Sequence, residues 1–543
     1  MERWRQTICY QFQISRKTNI LNGHFVPHHY ILFKRVRIGL SIQVASVEKR
    51  ACAVIVIAVV ILSTAVYMSL SGEDHEKGNK DYLADALQAM YDNDGDYPAR
   101  LLILGNADLD DDLDEDDLEI VNHIANLSSY DYVDNFMCDA NYDGVIDDGD
   151  VERLEQMIAK DSNGLYTYND VAYYVDCDFV VSKYHMDWPL HTSNILTQTL
   201  QMLMILDVDS IIALDDRCAN SEVSITPDNG TYWKEFAGVL DYPELGSTGS
   251  YRHISAEQYL QVAKEYGDGY LTAVMNSRYA RNTGYLEEQL ENCTVQLVRI
   301  QSWERGAVCN GMLTLGYLFH KYDRASEWVS WHDGYYNAIM EKVAALTDEE
   351  RKAVVIAVLS DTDNVSMDTF DMLGVTSGEY QSLKKMGIID VTHEYLESIG
   401  APATSWSVSV NKETLAEIYR IYHFDFFIGT FSGPYNIGPI NPDRPDADVI
   451  YNQTKQYLDK YCGKDAVTLQ TFGWVYATGP HELAYIAGLA NVLYGWTEFD
   501  VKKIVNESLQ WMGIYDEDGS MGEYFYNYES LEDSLYWPRI MMI

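Results

Sequence analysis

Two stretches of the chain place oxygen ligands at a spacing that suits a hard cation. Asn106, Asp108, Asp110, Asp114 and Asp117 recur 33 residues later as Asp139, Asn141, Asp143, Asp147 and Asp150. Each set falls at positions 1, 3, 5, 9 and 12 of a loop, with an apolar residue at position 8, Leu113 or Ile146. An apolar helical face follows each loop (Leu118, Val121, Ala125; Val151, Leu154, Ile158). Oxygens at this spacing converge on one ion, and with a backbone carbonyl and water they supply the six to eight donors that Ca²⁺ accepts. A solvated acidic linker would have to match five positions twice. The second loop, DANYDGVIDDGD, has Gly144 at its sharp turn. The first, NADLDDDLDEDD, has Asp111 there, and Asp tolerates the left-handed backbone better than most residues. We expect structural Ca²⁺ in both loops, held more weakly in the first, and expect its removal to loosen residues 100–160 and little else.

Other chemistry is sparse. There is no nucleophile elbow, phosphate loop, HExxH or strand-borne GxGxxG. The 13 histidines do not cluster at ligand spacing, and the 8 cysteines include no C-x-x-C pair. A binding protein rather than an enzyme is expected.

Charge divides the chain sharply. Residues 1–50 hold 9 Lys and Arg against 2 Asp and Glu, so a total of −44 leaves −51 for the rest. An acidic balance of that size repels phosphates and excludes nucleic acid as a partner. Between the two regimes lies ACAVIVIAVVILSTAVYMSL, residues 51–70, uncharged and long enough to cross a hydrocarbon core of about 30 Å. Lys49 and Arg50 precede it and Glu73, Asp74 and Glu76 follow, so the positive-inside rule puts the bulk of the chain outside the cell. A cleaved signal peptide is the competing reading. We expect a prokaryotic membrane protein, archaea included, with a single uncleaved anchor.

The elements that must position any binding site begin near residue 165, where strands and helices alternate as in an α/β fold. Asp187–Asp216 reads as strand, turn, helix and strand, with Thr197, Gln198 and Thr199 at the turn. A helix begins near Ser255, and strands follow at GYLTAVM, ending at Met275, and at VQLVRI, residues 295–300. Asp323–Leu346 carries apolar residues at Ala325, Val329, Tyr336, Ile339, Val343 and Leu346, the period of one buried helical stripe. At about 1.5 Å per residue this helix spans roughly 36 Å, enough to bridge two lobes. Thr347 and Glu350 then have capping-box spacing, which predicts a second helix start. Beyond it, the strand AVVIAVL (353–359) precedes SVNKETLAEIYRIYHFDFFIGT (409–430), which repeats the helix-then-strand phrase of SAEQYLQVAKEYGDGYLTAV. VTLQTF (467–472) and a helix from about His481 to Tyr494 close the second half.

This order resembles the substrate-binding proteins of ABC importers for metal chelates, meaning siderophores, haem and cobalamin. The resemblance covers roughly residues 165–529 and rests on IIALDD followed by YPELG, the SAEQYL helix start, and the long helix in its place. Asp207 stands where that family has a Gly closing the first helix. The duplicated loops, each ending in Asp, resemble dockerin modules. The implied fold is α/β: two Rossmann-like lobes joined by a single long helix, as in type III periplasmic binding proteins. A small α-helical dockerin-like calcium module and an N-terminal transmembrane helix would precede it. The expected units are a cytoplasmic leader (1–50), the anchor (51–70), the calcium module (80–160), a first lobe (165–322), the bridging helix (323–346) and a second lobe (347–529).

The resemblance implies an ABC permease as partner and a metal chelate as cargo. The chain has 42 Tyr and 11 Trp, and several aromatics fall in loops after strands, where flat ligands would be walled. The expected contacts are Thr197, Gln198, Arg278, Tyr279, Trp303, Tyr435, Trp474 and Tyr476. Glu257 and Glu413, each in the first turn of its lobe's corresponding helix, are the implied permease-docking charges. The alternative is a calcium-dependent surface protein that docks to a cohesin-like partner, and an enzyme on the same scaffold ranks third.

Overall fold

The computed structural model describes residues 100–160, 162, 166–167, 170–215, 245–249, 254–276, 284–302, 307–359, 369–374, 377–400, 407–431, 447–473 and 479–513. The expected anchor lies outside them. Among the described residues no helix is long and apolar enough to cross a membrane.

The acidic loops lead into two short helices, α1 (Glu115–Ala125) and α2 (Asp148–Ile158). An antiparallel hairpin follows, β1 (Val171–Val175) and β2 (Val181–His185). The chain then builds the first lobe from β3 (Thr192–Asn194), α3 (Thr197–Ile205), β4 (Ile211–Asp215), β5 (Gly246–Gly249), α4 (Ala256–Tyr266), β6 (Leu271–Met275), α5 (Gly284–Leu290), β7 (Val295–Arg299) and α6 (Ala307–Leu318). Its sheet is wholly parallel in the order β5-β4-β3-β6-β7. β6 is buried along its whole length, as a strand covered by helices on both faces must be. Helix α4 buries Ala256, Tyr259, Val262 and Ala263, one stripe of a 3.6-residue period. It stops at Gly267, where a Cβ would sit 2.1 Å from the Tyr270 carbonyl oxygen.

Asp207 does the work of the missing glycine. At φ 54° it is left-handed just past α3. Its N–H reaches the Met204 carbonyl, and that of Val208 reaches the Leu203 carbonyl, both at 3.0 Å. Those two bonds define a Schellman ending.

The bridging helix, α7, runs Tyr322–Ala344, two residues short of the expected end, and buries Ala325, Trp328, Val329, His332, Ile339 and Val343. No second helix starts at Thr347. The Glu350 carboxylate does accept from the Thr347 N–H and hydroxyl, both at 2.9 Å, but it closes a turn. The β-branched run from Ala353 begins only three residues later, which leaves no room for helical propagation.

The second lobe holds β8 (Ala353–Leu359), β9 (Thr369–Leu373), α8 (Gly378–Lys385), β10 (Ile389–Asp390), α9 (Val391–Ser398), β11 (Ser407–Asn411), α10 (Lys412–Tyr422), β12 (Phe426–Phe431), α11 (Ala447–Cys462), β13 (Thr468–Gly473), α12 (Glu482–Tyr494) and α13 (Val501–Trp511). Its sheet runs β11-β9-β8-β12-β13. β8, β12 and β13 are parallel, but β9 is antiparallel to β8. One edge of β8 is therefore shared, with β10 along its first residues and β9 along its last.

One apolar cluster joins these parts. Leu113, Val121, Ile146 and Leu154 of the acidic segment belong to the same buried core as Met312 of α6, Trp328 and Ile339 of α7, and Leu489 of α12. Residues 101–104 are clipped in as well. The Leu104 N–H donates to Tyr173 and the Val175 N–H to Leu102, at 2.9 and 2.8 Å, while the Leu102 N–H donates to the Thr314 hydroxyl at 3.1 Å.

Candidate functional site

In the first sheet the chain leaves β3 towards β4 and β5 but continues from β6 towards β7, so strand order reverses between β3 and β6. Open parallel sheets bind ligands at the carboxyl ends of the strands flanking such a reversal. Here that place is marked by strain. Leu196, two residues past β3, has φ 75° and ψ 155°, a conformation that is nearly confined to glycine and costs roughly 1–3 kcal/mol in other residues. Two fully buried neighbours hold it. The Asp215 carboxylate at the end of β4 accepts the Leu196 N–H. The Asn194 amide donates to the Leu196 carbonyl at 2.9 Å, and its oxygen accepts the Asp215 N–H at 3.4 Å. Across the reversal, half-buried Asn276 follows β6 and donates to the Ile300 carbonyl and the Ser302 hydroxyl, each at 3.4 Å.

The second lobe closes over this point. Gly479, at φ 73° and six residues beyond β13, lies so near the first lobe that a Cβ there would meet Gln198 Cγ at 2.6 Å and the Ser302 carbonyl oxygen at 3.1 Å. Gln198, expected as a ligand contact, is buried at this junction. Thr197 is the first residue of α3. Arg278, Tyr279, Trp303, Tyr435, Trp474 and Tyr476 lie outside the described residues.

The acidic loops repeat one another down to individual hydrogen bonds. At position 3, Asp108 and Asn141 accept the N–H of position 5 at 3.1 and 2.9 Å. At position 5, Asp110 and Asp143 accept that of position 7 at 2.9 and 3.0 Å. Asp114 and Asp147 cap α1 and α2, each accepting an N–H at 2.7 Å. Asp117 and Asp150 are buried and accept the N–H groups of positions 3 and 9, at 3.1 and 3.0 Å in the first loop and 3.1 and 2.9 Å in the second. Burial is the largest influence on both, pushing their carboxyls up to about 6. A bound cation would act in the opposite sense. Among the described residues no three loop carboxylates gather within 4.8 Å of one another. Their oxygens turn instead to the N–H groups of their own loops.

The loops differ where the sequence differs. Gly144 is left-handed at φ 90° and donates its N–H to Asp139 Oδ2 at 2.9 Å, an oxygen that also accepts the Tyr132 hydroxyl at 2.6 Å. Asp111 is not left-handed; in the first loop Leu109 takes that conformation, as Tyr142 does in the second. Asp111 is drawn away by charge. Its carboxylate meets Arg100 Nε at 2.9 Å, and its carbonyl accepts the Tyr322 hydroxyl at 2.7 Å, so the loop is fastened to the start of α7. Asn106, at position 1, donates to the Leu101 and Asp110 carbonyls at 2.8 Å, and its fully buried Oδ1 has no hydrogen-bond partner. An oxygen left so at the first ligand position fits a hard cation.

Glu257 and Glu413 are the second residues of α4 and α10, both exposed. The two helices are equivalent. Each enters from the edge strand of its sheet (β5 or β11) and leads into the strand beside the lobe's first strand (β6 beside β3, β12 beside β8).

No protein-family model matches the chain, and no curated protein does. Among solved structures it is similar to the TroA-like periplasmic binding protein FepB of Veillonella parvula, with 12% identity over 62% of this chain and 95% of that one, at a TM-score of 0.48. It is also similar to the molybdate periplasmic binding protein MolA of Haemophilus influenzae (15% identity, 63% and 97% of the two chains, TM-score 0.42). A third is a periplasmic heme binding protein of Pseudomonas aeruginosa (14%, 56% and 93%, 0.38).

Proposed function

We propose that this chain is the extracellular solute-binding component of an ABC importer, and that it takes a metal chelate between its lobes and hands it to a permease. The observation that carries this reading is the clamped, strained Leu196 at the strand-order reversal of the first lobe, two residues before Gln198, against which Gly479 of the second lobe packs. Strain kept at a crevice between two lobes marks a place where a backbone is held ready for a ligand. Among the described residues α7 is the one element that joins the lobes, and a rigid helix there limits how far they can move apart. The N-terminal anchor would keep the protein at the membrane, and Ca²⁺ in the acidic loops would stiffen the segment between anchor and lobes.

The proposed ligand contacts remain Arg278, Tyr279, Trp303, Tyr435, Trp474 and Tyr476, all outside the described residues. Titration of tryptophan fluorescence with ferric siderophores, haem and corrinoids tests the reading. A saturable change is expected for one class, with a matching rise in melting temperature. Failure of all three classes in both measurements would remove the importer assignment.

A further inference from the structure

Away from the crevice, α6 and α7 bring the Cys309 side chain to the adjacent pair His332 and Asp333. Cys309 Sγ lies 3.4 Å from His332 Nδ1 and 3.9 Å from Asp333 Oδ1, and His332 Nδ1 lies 3.1 Å from the same Oδ1. Cys309 and His332 are 3% exposed, and the Asp333 side chain 22%. Among the described residues this is the one set of three potential ligands whose atoms gather within 4.8 Å.

Two arrangements put a thiol, an imidazole and a carboxylate together. A nucleophilic triad uses both imidazole nitrogens, one towards the thiol and the other towards the carboxylate. Here thiol and carboxylate converge on the same nitrogen, Nδ1, so no proton relay runs through the ring. Convergence on one point is what a metal ion requires. Zinc bonds of about 2.0 Å to nitrogen and oxygen and about 2.3 Å to sulfur place tetrahedral ligand atoms about 3.3–3.6 Å apart. The point equidistant from the three observed atoms lies about 2 Å from each, within reach of those bond lengths.

We infer that Cys309, His332 and Asp333 form a site for a divalent transition ion of the zinc class, three protein ligands with a fourth position left for water. The surroundings are those of a supported site. Arg100 Nη1 holds Asp333 Oδ2 at 2.8 Å, leaving Oδ1 for the ion and fixing the carboxylate's orientation. The His332 ring is stacked between Trp328 and Tyr336, with centroids at 5.3 and 5.5 Å, so its nitrogen is aimed before any ion arrives. Sulfur, imidazole and carboxylate together favour zinc over the calcium expected in the loops. An ion here would tie α6 to the bridging helix, and through Arg100 and Asp111 to the first acidic loop.

The test uses the full-length protein, stripped of metal and then held in excess Ca²⁺ to occupy oxygen-only sites. With Zn²⁺ as probe, one ion per chain should survive desalting in the unaltered protein and in Asp143→Ala, and be lost in Cys309→Ser and Asp333→Asn. Arg100→Gln should weaken binding about 10- to 100-fold. Co²⁺ in the unaltered protein should give thiolate-to-metal charge-transfer absorption, which decides the matter even if a variant fails to fold. No retained zinc, zinc undiminished in Cys309→Ser, or cobalt without the thiolate band would each overturn the assignment.

Discussion

Glu257 and Glu413 stand at the second residue of equivalent helices, one in each lobe. A carboxylate in a first helical turn is favoured by the helix dipole, and both are exposed. Two such charges on similar lobes could set the register on a two-fold partner through arginine pairs. Reversal of both to Lys is expected to leave chelate affinity unchanged, abolish uptake, and weaken permease binding in a salt-dependent way. Unimpaired uptake by a correctly anchored double variant would show that the two residues only cap their helices.

Calcium should reach further than its own loops. Calorimetry on the full-length chain should show two binding events, with Asp143→Ala removing one. Because Arg100 links Asp111 to Asp333, calcium removal should also raise hydrogen exchange in residues 322–333 of α7. Exchange confined to residues 100–160 would show that the ion pair transmits nothing.

Two glycines in neighbouring helices should respond oppositely to alanine. Gly334 is exposed within α7, with nothing within 4 Å of where a Cβ would sit, so Gly334→Ala should stabilise by about 1 kcal/mol. Gly316 in α6 packs against α7, and its Cβ would meet that of Ala325 at 2.4 Å. Gly316→Ala should cost about 1–3 kcal/mol. Urea unfolding of both variants measures the difference.

Gly479→Ala tests the junction between the lobes. Its Cβ would press on Gln198 and on the Ser302 carbonyl oxygen, in a backbone conformation already unfavourable for alanine. Weaker ligand binding is expected, by more than any fall in melting temperature explains; unaltered affinity would place the ligand elsewhere.

The β1–β2 hairpin and β9, β10 and β11 are not in the sequence reading, whereas Ala353–Leu359 and Leu271–Met275 were legible as short apolar runs between polar turns and fall where the sequence puts them. Topology was less so. Nothing in TFDML marks β9 as antiparallel, since pairing direction depends on which neighbour the strand meets. Thr347 and Glu350 show the limit of a local motif. Their capping contact forms, but the strand that follows decides what it caps. Asp111 was misjudged for a similar reason, because Arg100 and α7 override its loop position. The ligand expectations other than Thr197 and Gln198 fall outside the described residues. Cys309 and His332 could not be paired from a chain in which they lie 23 residues apart on different helices.

The core shared by the acidic segment and both lobes bears on how this protein comes apart. Composition draws a border near residue 160, yet Leu113, Val121 and Leu154 are solvated only if α6, α7 and α12 are uncovered too. Heat should therefore melt the described fold in one cooperative transition, with calorimetric and van't Hoff enthalpies agreeing. A truncation starting at residue 165 would strip the 101–104 clip from β1 and bare the face of α6 around Thr314, yielding an aggregating fragment rather than a smaller binding protein.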